Sequence, residues 1–296
     1  MTILKKIYNS LYNHTWELGF LENTLEDIVS GANLNYVRIC NNDKNRWFAD
    51  PFILEVNDSE VILLCEEYND RVKRGRIAKV VIDRLNNQIK EWKLLLDLNT
   101  HLSFPVIKRI EGRIYVYPEN SEGGVLNLYE YNKVDDKLIP VKTICDKPLT
   151  DAIITVLEDR AEYIFSTYRN NPNGKHLAVL QYMPQEGVYQ EKMIVNFDEN
   201  IARMAGNFFC VDKKIYRPAQ ESNKSYGHSI DIQELIIREN SLEFKSIRRI
   251  ESPHPTMKLG FHTINEHNGV IVVDVKGYRH PTIVKILTIL KSLVGK

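Results

Sequence analysis

The chain is short of cysteine, of charge imbalance and of long apolar runs, and each shortage removes a class of protein. Its four cysteines, Cys40, Cys65, Cys145 and Cys210, stand far apart, with no CxxC pair and no zinc-ligand spacing. Scattered thiols fit a reducing compartment, so a cytoplasmic location is expected. Cys65 and Cys210 lie in apolar, strand-like runs, where buried free thiols are expected. Lysine plus arginine and aspartate plus glutamate number 39 each, so there is no overall field to attract nucleic acid, and no such partner is expected. No apolar stretch has the length of a signal peptide core or a bilayer span. A GxxxxGK[ST] loop, a GxGxxG turn, a GxSxG elbow and an HExxH helix are all missing. Nucleotide hydrolysis, hydride transfer and serine-hydrolase chemistry therefore lack support.

What the chain does contain is short strands. "VILLCEEY", "RIYVYPEN", "EYIFSTYR", "LAVLQYM" and "GVIVVDV" are brief apolar or alternating runs bounded by Asn, Asp, Gly and Pro. Five passages share a layout: "FADPFILEVNDSEVILLCEEY", "LSFPVIKRIEGRIYVYPEN", "LTDAIITVLEDRAEYIFSTYR", "ARMAGNFFCVDKKIYRPAQE" and "GFHTINEHNGVIVVDVKG". Each opens a strand on a small or polar motif, turns, and runs a second apolar strand that ends on polar residues. The aligned endings are Glu66-Glu67, Glu119-Asn120, Thr167–Arg169, Arg217–Gln220 and Asp274–Lys276. A third strand follows most copies, and "EWKLLLDL", "LIPVKTI" and "EFKSIRRI" read as fourth strands. Four-stranded meanders repeated five times predict an all-β, five-bladed β-propeller with a short helical C-terminal tail.

The expected layout of the 296 residues is a single domain with a propeller over 45–277. The segment 1–44 precedes it, and a strand from 15–20 or 36–41 is expected to close the last blade. Over 278–296, Ile283, Ile286, Leu287, Leu290 and Leu293 share one helical face, predicting an amphipathic helix. That helix either docks on its own domain or contacts a partner or a membrane surface.

In a propeller the starts of the inner strands and the ends of the second strands meet at one rim, because hairpin neighbours run antiparallel. Asp50, Glu67, Glu119, Asp151, Arg203, Arg217, Gln220, His262 and Asp274 should therefore share one funnel. "NRWFADPFI", "HLSFPVI", "YPEN", "LTDAIITV", "ARMAGNFF", "YRPAQE", "SYGHSIDI" and "GFHTIN" resemble, in order, the N-terminal domain of plant glucosamine inositolphosphorylceramide transferases. The resemblance covers roughly residues 45–277. It implies a propeller of the furanosidase type with a sugar or glycan as ligand, possible either as an enzyme or as a module of a glycan-assembly system. In such propellers an Asp of the first blade acts as base or nucleophile, a role that Asp50 matches by position, and Asp151 resembles the middle-blade acid.

Glycosidic bond cleavage usually takes two carboxyl groups. Asp50 is the expected base or nucleophile, with Glu119 or Glu67 as proton donor and Asp151 orienting; the alternative for Asp50 is capping of backbone amides. Trp47 and Tyr226 offer aromatic surface for a sugar. Arg203 and Arg217 either pair with the rim carboxylates or bind an acidic, phosphorylated or nucleotide-linked sugar. His262 is either a packed, hydrogen-bonded residue, a sugar ligand or a ligand of an axial metal ion, the last implied by the resemblance alone. Gln220 and Asp274 complete the expected sugar contacts, and no other cofactor is expected.

Overall fold

The computed structural model describes residues 13–43, 45–239, 241–284 and 286. The described chain opens on β1 (His14–Leu21), a short helix α1 (Leu25–Ser30) and β2 (Tyr36–Arg38). Four consecutive antiparallel sheets follow. The first contains β3 (Arg46–Val56), β4 (Glu60–Asn69), β5 (Gly75–Asp83) and β6 (Gln88–Leu96), and the second β7 (Ser103–Ile110), β8 (Arg113–Glu119), β9 (Leu126–Asn132) and β10 (Lys137–Cys145). The third comprises β11 (Leu149–Val156), β12 (Glu162–Tyr168), β13 (His176–Met183) and β14 (Val188–Asn196). The fourth is β15 (Phe209–Val211), β16 (Lys214–Glu221), β17 (Ser229–Ile237) and β18 (Leu242–Glu251), and the chain then forms β19 (Ile264–His267) and β20 (Val270–Tyr278). Five sheets of four strands make the expected five-bladed β-propeller.

The fifth blade has the order β19-β20-β1-β2, two strands from each end of the chain. Both segments considered for closure are used. β1 pairs with β20 from His14 opposite Tyr278 to Leu21 opposite Ile271, and β2 pairs with β1. This joins the ends of the circle by backbone hydrogen bonds and leaves no inner edge open. β14, the outer strand of the third blade, is too mixed in polarity to stand out in the sequence, with its exposed and half-buried residues alternating irregularly.

Between β1 and β2 the helix α1 was not foreseen. Thr24 and Asp27 form a reciprocal capping box at its start, and Gly31, at φ 90°, ends it. Arg248 donates to the carbonyls of Asp27, Ile28 and Ala32 and so ties the end of α1 to the fourth blade. After β20, residues 281–284 and 286 are helical. The rest of the tail predicted to be amphipathic lies outside the described residues, as do residues 1–12. No helix among the described residues is long and apolar enough to cross a membrane.

Alternating strand residues pack the spaces between blades. Phe52, Leu64, Phe104, Tyr117, Phe165 and Leu180 belong to one large buried cluster, while Phe48, Leu63, Ile82 and Val272 join the first and fifth blades. Cys65 is buried as expected, but Cys210 is exposed, because it faces away from the core on the three-residue strand β15.

Three inner strands share a bulge that sets up the site. In β3, β7 and β11 the pairing skips between Ala49 and Phe52, between Ser103 and Val106, and between Thr150 and Ile153. The residue after the break has a left-handed backbone: Asp50 at φ 50°, Phe104 at φ 45° and Asp151 at φ 46°. Such a conformation costs a non-glycine residue about 1–3 kcal/mol, and bulges of this kind re-aim a side chain and its amide. Here each amide is caught by an acid of the preceding blade. The N–H of Asp50 donates to Asp274 at 2.8 Å, that of Phe104 to Asp50 at 3.1 Å, and that of Asp151 to Glu119 at 2.9 Å.

Candidate functional site

The bulges gather five carboxyl groups, Asp50, Glu66, Glu119, Asp151 and Asp274, with Arg203, His262 and Gln220 in one buried cup. The inner strands supply Asp50 and Asp151; the ends of β4, β8, β16 and β20 supply Glu66, Glu119, Gln220 and Asp274; and the segments before β15 and β19 supply Arg203 and His262. Two hydrogen-bonded groups make up most of it.

In the first group, His262 Nδ1 lies 2.7 Å from Asp274 Oδ1, and Nε2 lies 3.5 Å from Asp50 Oδ1. Thr263 Oγ1 donates to Asp50 Oδ1 at 2.8 Å. Burial pushes the Asp50 carboxyl up to about 6; the His262 charge opposes this, and the Asp151 and Asp274 charges add to it. Burial works against a charged His262, but Asp274 and Asp50 outweigh it and raise the proton affinity of the ring. The donor atoms of Asp50, His262 and Asp274 all lie within 4.8 Å of one another. Two carboxylates and an imidazole are a donor set that suits a divalent cation.

In the second group, Arg203 donates through Nε to Asp151 Oδ2 at 2.6 Å and through Nη2 to Glu119 Oε2 at 3.3 Å. Gln220 Nε2 donates to Asp151 Oδ2 at 2.6 Å. Burial and the neighbouring Asp151 charge push Glu119 up to about 8, against the pull of Arg203. Burial would raise Asp151 as well, but the Arg203 guanidinium holds it below the usual carboxylate range. One cation thus separates two adjacent acids into an ionised and a protonated member.

Glu66 completes the cup. Its carboxyl is pushed well up by burial and then by the charges of Asp50, Glu119, Asp274 and Asp151. Its Oε1 has no hydrogen-bond partner, and neither does Gln220 Oε1; both are buried. His101 Nε2 approaches Glu66 Oε1 to 3.3 Å without hydrogen-bond alignment, a near contact that leaves the oxygen unsatisfied. Two buried side-chain oxygens without hydrogen-bond partners are a costly arrangement that a hydroxyl-bearing ligand would relieve.

Aromatic rings roof the first group. Trp16 stacks on His262 with centroids 3.8 Å apart and planes at 15°. Tyr226 stands edge-on to His262 at 5.5 Å, with the Arg203 guanidinium 5.3 Å from its ring and the Lys276 ammonium 5.5 Å away. Tyr226 is 36% exposed, so it can present its ring to a ligand entering the cup.

Three predicted site residues are placed elsewhere. Glu67 points to the opposite face of β4 from Glu66, where Arg46 at 2.9 Å and Arg76 at 2.7 Å hold it as an ion pair. It is no proton donor to the cup. Arg217 is fully buried inside the fourth blade; it donates to Gln233 at 2.9 Å and to the carbonyls of Ile201, Ala202 and Arg203, between the rings of Phe197 and Phe244. Burial lowers its proton affinity to about 9. Trp47 stacks flat on Tyr68 at 4.7 Å in a cleft next to the cup. Asp50, Glu119, Asp151, Arg203, Gln220, Tyr226, His262 and Asp274 do come together.

Glu66, Trp16, Thr263, His101 and Lys276 were missed. For Glu66 the signal was available: aligning the strand ends sets Glu66, not Glu67, against Glu119, and the register agrees, with Ala49 opposite Glu66 and Ser103 opposite Glu119. Trp16 enters from the far end of the chain, so only the closure of the ring brings it there.

Solved structures with this fold include a GH43 β-xylosidase/α-arabinofuranosidase from a compost microbial metagenome, at a TM-score of 0.51 and 12% identity over 79% of this chain and 91% of that one. A family 117 glycoside hydrolase of the marine bacterium Zobellia galactanivorans matches at a TM-score of 0.50 and 9% identity over 90% of this chain and 91% of that one. At these identities the likeness is one of fold. The chain belongs to the family described as glucosamine inositolphosphorylceramide transferase 1, N-terminal, which it matches over residues 33–271. Relatives named glucosamine inositolphosphorylceramide transferase 1 are 27% identical over 233 residues in Arabidopsis thaliana, covering 76% of this chain, and 25% identical over 211 residues in Oryza sativa subsp. indica, covering 64%. The chain spans 30% and 26% of the length of those two relatives.

Proposed function

We propose that the axial cup binds a sugar and hydrolyses or transfers its glycosidic bond, with Asp50 as base or nucleophile and Glu119 as proton donor. The observation that supports this best is the pooling of five buried carboxyl groups around Arg203 and His262, with two buried oxygens left for ligand hydroxyls. Glycosidic chemistry needs one carboxyl ionised and one protonated at the same pH. Asp50 at about 6 and Glu119 at about 8 meet that need near neutrality. Asp151 and Arg203 orient and charge-balance the donor, and Trp16 and Tyr226 receive the sugar face. The fold shared with glycoside hydrolases supports the same reading.

A screen of aryl glycosides and oligosaccharides for released sugar tests it. Turnover is expected in the wild type and is expected to fail in Glu119→Gln; activity undiminished in Glu119→Gln would remove Glu119 from the role and leave Glu66 as the acid. With a cleaved substrate in hand, kcat/KM should be bell-shaped. It should rise as Asp50 ionises near pH 6 and fall as Glu119 loses its proton near pH 8. A profile flat across this window would contradict the pairing.

A second reading, sugar binding without turnover as part of a glycan-assembly system, is favoured by one fact. Every oxygen of Asp50, Asp151 and Asp274 already accepts from a neighbour. Specific binding with no bond cleavage across the screen would select that reading.

The cluster of Asp50, His262 and Asp274 would hold a divalent ion if one binds, supplying positive charge next to the sugar. A cation at these atoms competes with the His262 proton. Stabilisation by added calcium, read as a rise in melting temperature, should therefore grow from pH 6 to pH 8. A rise that does not change with pH would place the ion elsewhere.

A further inference from the structure

The cleft next to the cup holds more positive charge than the chain neutralises. It has a volume of about 580 Å³ and is lined chiefly by Trp16, Trp47, Tyr68, Lys73 and Lys276. Its one acid, Asp70, is already paired with Arg279 at 2.6 Å. Lys276 lies 5.4 Å from the Trp16 ring and 5.5 Å from that of Tyr226, and no carboxylate among the described residues is in ion-pair contact with it. The stretches of sequence outside the described residues contain no aspartate or glutamate at all, so no acidic side chain there can neutralise it.

The backbone that carries this ammonium is also held in place. Lys276 sits opposite Trp16 in the β1–β20 pairing, and its amide donates to the Gly260 carbonyl at 2.9 Å while its carbonyl accepts from Leu259 at 2.9 Å. A Cβ on Gly260 would come within 3.0 Å of the Lys276 Cβ and 3.3 Å of Trp16, so the glycine lets its segment close up on β20 and the indole. A cation fixed against aromatic faces and lacking a counter-charge is a receptor for an anion attached to a flat or ring-shaped group. The guanidinium groups that sequence alone offered for this task are both engaged: Arg203 by Asp151 and Glu119, and Arg217 within its own blade.

We infer that the Lys276 cleft receives an anionic substituent, a phosphate or a carboxylate, of the sugar whose ring occupies the cup. The inference rests on the sugar-binding reading of the cup, and it narrows the ligand to a charged sugar. Trp16 joins the two compartments: its ring stacks on His262 and lies 5.4 Å from the Lys276 ammonium.

Trp16 and Trp47 are two of only three tryptophans in the chain, so intrinsic fluorescence reports on the cleft. The full-length protein is titrated at constant ionic strength with inorganic phosphate, glucose 1-phosphate, glucuronate and methyl glucoside. At least one anionic probe should bind the wild type. Lys276→Gln should weaken that probe about tenfold, the worth of one charge-assisted hydrogen bond, and Lys276→Arg should retain it. Preference for the phosphates or for glucuronate identifies the anion. Inorganic phosphate needs no sugar site, so its response reports on Lys276 even if methyl glucoside fails to bind and the cup reading falls. Absence of any response to the three anionic probes, or a loss below about threefold in Lys276→Gln, overturns the inference.

Discussion

Asp50→Asn is expected to lower kcat by about 10²–10⁴-fold, the usual worth of a positioned acid or base, and at the same time to raise the melting temperature at pH 7. The fold should survive because asparagine can keep both hydrogen bonds of the aspartate. Its amide oxygen can accept the Phe104 N–H, and its amide nitrogen can donate to Thr263 Oγ1, which now donates to Asp50. What disappears is a negative charge in a cup where Asp151 and Asp274 already repel it. The sign of the stability change follows from linkage. A carboxyl whose folded-state value is raised to about 6 binds its proton more tightly folded than unfolded. It costs nothing below the unfolded value near 4 and costs progressively more as pH rises through 6. At pH 7 the full cost is present, and Asp50→Asn removes it; below pH 4 wild type and variant should melt together. The lost His262 contact, at 3.5 Å, is the weaker of that ring's two, and Asp274 remains at 2.7 Å. Activity and thermal melting measured on the same samples check the pair of outcomes. An inactive variant that melts lower at pH 7 would show that Asp50 serves mainly to hold the ring of blades together.

That combined result would also explain why left-handed residues are built into the strands at the place where the acids meet. Asp50, Phe104 and Asp151 carry left-handed backbone inside strands where five carboxyl groups meet, while the other left-handed residues outside glycine, such as Asn87, Glu111 and Asp212, lie in the turns between strands. Stability given up at a site and recovered elsewhere is the pattern expected where a geometry is kept for its chemistry. The capping of each bulge amide by the neighbouring blade makes the carboxylates part of the scaffold as well. Of the two alternatives for Asp50, the amide cap is made to Phe104, and the same side chain is the acid proposed to react.

Much of this was legible in the sequence because a propeller repeats. Period-2 alternation gave the strands, the repeated layout gave five blades, and the hairpin rule put the polar ends at one rim. What stayed hidden depends on parity and on registers that alternation does not fix. Glu66 and Glu67 differ by one residue and face opposite ways; the bulge at Asp50 decides which of them looks into the cup. Arg217 and Gln220 stand in one polar strand ending, yet Arg217 pairs opposite Gln233 and turns into the blade, while Gln220 reaches Asp151. Trp16 and Lys276 are 260 residues apart in number and opposite one another in space, a contact made only when the ring closes. Helix α1 is six residues long, too short for a periodic signal.

Arg217→Ala is expected to cost on the order of 3–5 kcal/mol, combining the cavity left between two phenyl rings with carbonyls orphaned in the blade. The guanidinium spans the gap from Gln233 to the turn of chain at Ile201, Ala202 and Arg203, so it fixes the segment that carries Arg203. Against a total stability of about 5–15 kcal/mol for a domain, such a loss places the variant near unfolding. The buried charge is itself expensive, as its lowered proton affinity indicates. Arg217→Met, which fills the space between Phe197 and Phe244 without that charge, should therefore cost less than alanine although it leaves the same carbonyls unpaired. Denaturant midpoints for the three proteins give the order wild type, methionine, alanine, with ligand affinity of the folded methionine variant reduced only as far as Arg203 is displaced. Wild-type midpoints in both variants, together with lost affinity for an anionic sugar, would instead return Arg217 to the ligand site, with its guanidinium reaching solvent rather than the blade interior.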